Sequence, residues 1–194
     1  MKKILTVTLL LASSFVFGQN NLHFGLKAGM NVSNLTNADF EDAKAKGLFG
    51  FNGGVYLNYT SGNFGIQPEI LVSTQGAKLD SVSGKSTQWR LTYINVPVLA
   101  QFRSNMGLYA EIGPQVGFKI SEDIGGQTID NFVNNLDFSA AIGVGFRGKS
   151  GFGIGARYNV GISKIGNVPE NVSDVNPDFK NGVFQASLYV PLTK

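Results

Sequence analysis

Leu22-His23-Phe24-Gly25-Leu26-Lys27-Ala28-Gly29-Met30-Asn31-Val32-Ser33 carries the clearest alternation in the chain. Every even-numbered residue in it is apolar, and every odd-numbered one is glycine, polar or charged. In an extended chain successive side chains point to opposite faces, so this pattern gives one wholly apolar face and one polar face. Working outward, the same period recurs seven more times, over 47–60, 64–75, 89–103, 107–119, Phe138–Phe146, Phe152–Ile162 and 182–192. In the third segment Phe64, Ile66, Pro68, Ile70 and Val72 alternate with Gly65, Gln67, Glu69 and Ser73; in the fifth, Leu108 to Phe118 alternate with Tyr109 to Lys119. Trp89, Leu91 and Tyr93 stand out of phase with Ile94–Phe102, which predicts a bulge or irregular rim there. Segments of about 11 residues match the ~9–11 that a tilted strand needs to cross a bilayer.

The connections alternate in length. Ser61-Gly62-Asn63, Ser104-Asn105-Met106 and Gly148-Lys149-Ser150 are turn-sized and rich in turn formers, whereas 34–46, 76–88, 120–136 and 164–181 are long and polar. Short periplasmic turns alternating with long extracellular loops are the rhythm of an eight-stranded antiparallel up-and-down transmembrane β-barrel, all-β. Ten of the 13 acidic residues fall in the four long connections: Asp39, Glu41, Asp42, Asp80, Glu122, Asp123, Asp130, Glu170, Asp174 and Asp178. Arg103, Arg147, Lys149 and Lys194 lie toward the other end, so the outer surface is expected to be acidic.

Composition agrees. The 194 residues include 25 Gly and 15 Phe, and only 15% are charged where about a quarter is ordinary. There is no Cys and a single His, His23, which excludes disulfides, thiolate metal sites, a Cys nucleophile and any site needing two imidazoles. Residues 1–18 have a basic start at Lys2 and Lys3, a short apolar run and small residues before Gln19, the signature of a secretory signal peptide cleaved after Gly18. Losing those two lysines lowers the net charge from +3 to +1, so the basic balance implies no nucleic-acid partner. Residues 19–194 then form one barrel domain.

The same alternation would also suit a soluble lipocalin-type barrel with its apolar face inward. A solvated outer face carries many Lys and Glu; here the polar face is mostly Gly, Asn, Ser and Gln, residues that fit the crowded interior of eight strands. Aromatic residues also gather near the segment ends, Phe24, Tyr59, Phe64, Phe102, Phe146 and Phe152 at one level and Phe49, Phe118 and Phe138 at the other, as interfacial girdles do. The membrane reading follows.

Charges on the interior face are the sharpest constellation: Lys27, Glu69, Glu111 and Arg157, with Lys119, Asp137, Arg103 and Arg147 nearer the rims. An unpaired charge in so narrow a space is costly, so the cations should pair with the carboxylates. The result is either a plug that holds the barrel shut or a gated, ion-selective pore. Glu69 and Glu111 are also a formal acid–base pair, but they lie beside cations with no loop-borne site. Acylhydrolase chemistry needs a Ser, a His and an acid; His23 sits at the short-turn end, away from the outer leaflet, and is expected to serve as a rim or lumen hydrogen-bonder. Gly143-Val144-Gly145 and Gly151-Phe152-Gly153-Ile154-Gly155 look like dinucleotide loops but recur inside strands, so the phosphate reading fails. No catalytic, cofactor or metal residues are expected. Asp80-Ser81-Val82 resembles a short O-glycosylation acceptor, with Ser81 as the modified residue.

Gly25-Leu26-Lys27-Ala28-Gly29-Met30-Asn31, Gln67-Pro68-Glu69-Ile70-Leu71, Tyr93-Ile94-Asn95-Val96-Pro97-Val98-Leu99 and Tyr109-Ala110-Glu111-Ile112-Gly113-Pro114 together resemble the PorT-like outer-membrane β-barrel family of the Bacteroidota, across the whole of 19–194. The chain ends Pro191-Leu192-Thr193-Lys194, where many outer-membrane barrels end on an aromatic residue. The resemblance implies the fold; a role in secretion does not travel with a fold. The expected protein is a monomer in outer-membrane lipid of a Gram-negative cell, of structural or interaction type, whose four loops contact an extracellular or envelope partner. A small pore or secretion accessory is the alternative, and a lipid-modifying enzyme the third reading.

Overall fold

The computed structural model describes residues 22–36, 43–81, 86–124, 127–128, 135–163 and 180–193. Residues 1–18, expected to be a signal peptide, most of the 164–181 connection and parts of the other three long connections lie outside the described residues. The described residues form nine strands: β1 Leu22–Thr36, β2 Ala43–Ser61, β3 Phe64–Ser81, β4 Ser86–Arg103, β5 Leu108–Ile124, β6 Gln127–Thr128, β7 Leu136–Arg147, β8 Gly153–Gly161 and β9 Lys180–Pro191. Two-residue β6 only folds back on the end of β5. The other eight run β4-β3-β2-β1-β9-β8-β7-β5, and pairing of β4 with β5 closes the ring; every pairing is antiparallel. Closure leaves no unpaired strand edge, the condition for carrying a sheet through lipid.

The orientation of the two faces is the membrane one. Met30, Phe51, Ile66, Ile112, Ile142 and Leu188 are exposed on the outside, whereas Lys27, Asn31, Gln67, Glu69, Asn95, Glu111 and Arg157 are buried inside. A water-soluble barrel would have this reversed. All nine girdle aromatics are on the exposed face, and the Phe64 and Phe102 rings meet edge to face at 5.2 Å on adjacent strands.

Three connections are tight, between β2 and β3, β4 and β5, and β7 and β8, at one end of the barrel. Gly62, Gly107 and Gly151 take positive φ there (59°, 92° and 85°), a region that L side chains rarely occupy. At the other end the strands run farther than alternation predicts. β3 continues to Ser81 and β4 starts at Ser86, so the expected 76–88 loop shrinks to 82–85 at most; β2 starts at Ala43, and β5 extends to Ile124. The reason is that pairing persists after the outward face has left the apolar band: in β4 the outward residues beyond Ile94 are Thr92, Arg90 and Gln88, so the apolar signal fades while the ladder does not. Glu122, assigned to an outer loop by the sequence, is consequently inside the barrel and buried. Ser81 ends β3, and Val82 lies outside the described residues.

The predicted irregularity near Tyr93 is real but belongs to the neighbouring strand. Tyr93 pairs with Lys119 and Thr92 with Ser121, leaving Ile120 as the extra residue on β5. β4 keeps its phase, so Leu91 and Tyr93 point inward and are buried. Pro68, Pro97 and Pro114 stand on three adjacent strands, where each removes one ladder donor. Pairing between β3 and β4 is interrupted from Pro68–Val98 to Leu71–Asn95, and between β4 and β5 from Pro97–Gln115 to Ala100–Ile112, with the register unchanged on either side.

Candidate functional site in the barrel lumen

The four charges predicted to meet do so. β8 lies four strands from β3 in either direction around the ring, so a contact between them crosses the full barrel. Arg157 on β8 makes that contact, donating from Nη2 to Glu69 Oε1 at 2.8 Å and from Nη1 to Glu69 Oε2 at 2.9 Å. Its Nε donates to Glu111 Oε1 at 2.7 Å. Lys27 Nζ donates to Glu69 Oε2 at 3.1 Å. Two cations and two carboxylates, all with almost no exposed surface, thus form one neutral cluster. The bidentate fork onto Glu69 is the geometry that guanidinium and carboxylate share.

Amides satisfy the remaining lone pairs. Gln67 Nε2 donates to Glu69 Oε1 at 2.7 Å, and Gln101 Nε2 to Glu111 Oε2 at 2.9 Å. Asn58 Nδ2 bridges Gln67 Oε1 and Gln101 Oε1 at 3.1 and 2.9 Å. A buried charge must be hydrogen-bonded on all sides to be tolerated, and here the second layer of residues does this.

Three tyrosines that alternation alone did not bring together pack beside the cluster. Tyr56, Tyr109 and Tyr189 are buried in one group, with Tyr189 edge-on to Tyr56 at 5.5 Å and to Tyr109 at 6.4 Å. Space for them comes from glycine: a Cβ on Gly145 or Gly155 would collide with the Tyr109 hydroxyl, and one on Gly25 would lie 2.5 Å from that of Tyr56. Glycine on the lumen face therefore makes room for rings. Lys27 Nζ lies 5.2 Å from the Tyr189 ring centroid. Arg147 lies 4.8 Å from that of Tyr189 and 4.9 Å from that of Tyr56, and its Nη2 donates to Gln67 at 2.9 Å.

The rim charges separate by end. Toward the long-loop end Lys119 pairs with Glu122, and Asp137 accepts from Ser163 and from Asn181, each at 3.1 Å. Toward the short-turn end Arg103 and Arg147 have no carboxylate within ion-pairing distance among the described residues. His23, expected as a rim residue, lines the same mouth as these arginines. Among the described residues no group of three or more His, Asp or Glu could hold a metal ion.

Closure, an apolar outer face and a polar, charge-paired interior together define an outer-membrane β-barrel protein. The sequence matches the family described as the outer membrane protein beta-barrel domain over residues 17–167, and the chain belongs to it. No curated protein matches it in sequence. Among solved structures it is similar to Neisserial surface protein A, with 17% identity, a TM-score of 0.53 and coverage of 86% of this chain and 96% of that one. Ail, the attachment invasion locus protein of Yersinia pestis, gives 19%, 0.47, 87% and 97%; OprG of Pseudomonas aeruginosa gives 11%, 0.45, 88% and 93%. At such identities the likeness is one of fold.

Proposed function

We propose that this outer-membrane barrel is a structural or interaction protein whose lumen is plugged by the Lys27–Glu69–Arg157–Glu111 cluster. The observation that carries the reading is the full-diameter contact of Arg157 with Glu69. A pore would need the guanidinium to leave two carboxylates at once, which the low dielectric of the lumen opposes. In this reading the short turns face the periplasm and the long-loop end faces outward, as in bacterial barrels generally. Residues 1–18 are a signal peptide, the mature protein is a monomer in outer-membrane lipid, and the loops within 34–46, 76–88, 120–136 and 164–181 contact an extracellular or envelope protein. The chain is no enzyme: Glu69 and Glu111 are both engaged with Arg157, leaving neither free to exchange a proton with a substrate.

The finer kinship, to the PorT-like group, rests on the four sequence stretches quoted above. It keeps a secretion-accessory role as the second reading, to be tested by whether deletion of the gene leaves exported proteins in the periplasm. The plug is tested by liposome swelling with a small neutral sugar. Vesicles carrying the folded protein should swell no faster than empty ones; rapid swelling would replace the plugged barrel by a pore.

A further inference from the structure

Below the plug the lumen opens at the short-turn end into a cavity of about 950 Å³. Arg103, Arg147, His23 and Lys149 line it, and no Asp or Glu does. Each guanidinium lies within electrostatic reach of the other, and both within reach of His23. Two like charges side by side without a carboxylate contrast with the middle of the lumen, where Lys27 and Arg157 are matched by Glu69 and Glu111. Arg147 is held in place rather than free to swing out: it is 6% exposed, stacked against the Tyr56 and Tyr189 rings and bonded to Gln67. Arg103 is held more loosely, by a 3.4 Å contact from Nη2 to Asn58 Oδ1. Three buried donors among the lining residues have no acceptor in the described protein: Arg103 Nε, Arg147 Nε and Ser104 Oγ.

We infer that this mouth is an anion site built for a phosphoryl group, with Arg103 and Arg147 as its charged ligands and Ser104 as a neutral donor. Two guanidinium charges are matched by one dianion; a lone carboxylate would leave one of them uncompensated. The cavity falls in the size range of small-molecule sites, so it accepts a phosphoryl group that carries an organic substituent. Such a group comes from a soluble phosphate monoester or from a lipid with a phosphomonoester headgroup, such as phosphatidic acid, in the adjoining leaflet. Placing the mouth in the periplasm rests on the orientation proposed above; the site itself does not.

The test uses the folded, mature protein in a non-ionic detergent, with inorganic phosphate added at constant ionic strength. Amide resonances of Asn105, Gly107 and Gly148–Gly151 should shift and saturate in the millimolar range. Acetate should bind at least about fivefold more weakly. Arg103→Gln should weaken phosphate about tenfold, and Asn105→Asp, which places a carboxylate on an exposed turn residue of the cavity lining, several-fold by charge repulsion. Shifts that never saturate, equal affinity for acetate, or two variants that bind like the parent would each overturn the site. Transfer to phosphatidylcholine discs with and without phosphatidic acid, in the absence of phosphate, separates the sources: shifts that depend on phosphatidic acid point to lipid, and their absence with intact phosphate binding points to a soluble ester. Orientation is read independently. Because the chain has no cysteine, Asn105→Cys in whole cells should react with an impermeant maleimide only after the outer membrane is opened. Labelling of intact cells would remove the periplasmic placement and leave the phosphate result standing.

Discussion

The middle of the lumen and its short-turn mouth hold the same residue types in opposite arrangements. In the middle, Lys27 and Arg157 face Glu69 and Glu111, and the amides of Gln67 and Gln101 fill the remaining acceptor positions. At the mouth, Arg103 and Arg147 stand together with tyrosine rings, an asparagine and a glutamine, but no carboxylate among the described residues. Charge balance is thus closest in the middle of the lumen and looser toward its two ends, where neutral hydrogen-bond partners and rings serve Asp137 and Arg147 instead. Desolvation is the cause, since a bare charge costs several kcal/mol in a dry interior and far less beside solvent.

Breaking the middle should have the largest effect. Arg157→Ala leaves Glu69 and Glu111 without their shared cation, and should cost about 3–5 kcal/mol of stability, the usual penalty for stranding a buried charge. Urea unfolding followed by the heat-modifiable shift in gel migration measures it. Removing one cation and one carboxylate together sharpens the contrast. Lys27→Met with Glu69→Gln keeps Arg157 paired with Glu111 and preserves neutrality, so the loss should be about 1–2 kcal/mol, well below that of Arg157→Ala. At the mouth the expected effect is smallest: Arg103→Gln should change stability by no more than about 0.5 kcal/mol, as at an ordinary surface site. A cost for Arg103→Gln equal to that for Arg157→Ala would erase the distinction between the two regions.

Much of this was legible before the structure. The alternation at Leu22–Ser33 specified both the strand and which face meets lipid, and parity along each strand put Lys27, Glu69, Glu111 and Arg157 inside. Which carboxylate meets which cation was not legible, because Arg157 and Glu69 become neighbours only when the ring closes and register carries them to the same height. The mouth was missed for the same reason: His23, Arg103 and Arg147 come from β1, β4 and β7, and nothing local links them. Tyr56, Leu71 and Leu99 escaped because the pattern was read as polar inside. Leu71 and Leu99 sit within the apolar runs Ile70-Leu71-Val72 and Val98-Leu99-Ala100, where alternation cannot be seen. The strand extensions were hidden by polar outward residues, which a pattern search reads as loop.

The claim on which the rest depends is that the neutral cluster closes the lumen, and single-channel recording in planar bilayers tests it most directly. The parent protein should give a flat baseline, while Lys27→Ala with Glu69→Ala, which keeps neutrality but empties the cross-section, should give discrete conductance steps. Stable steps of the same size from the parent would contradict the account.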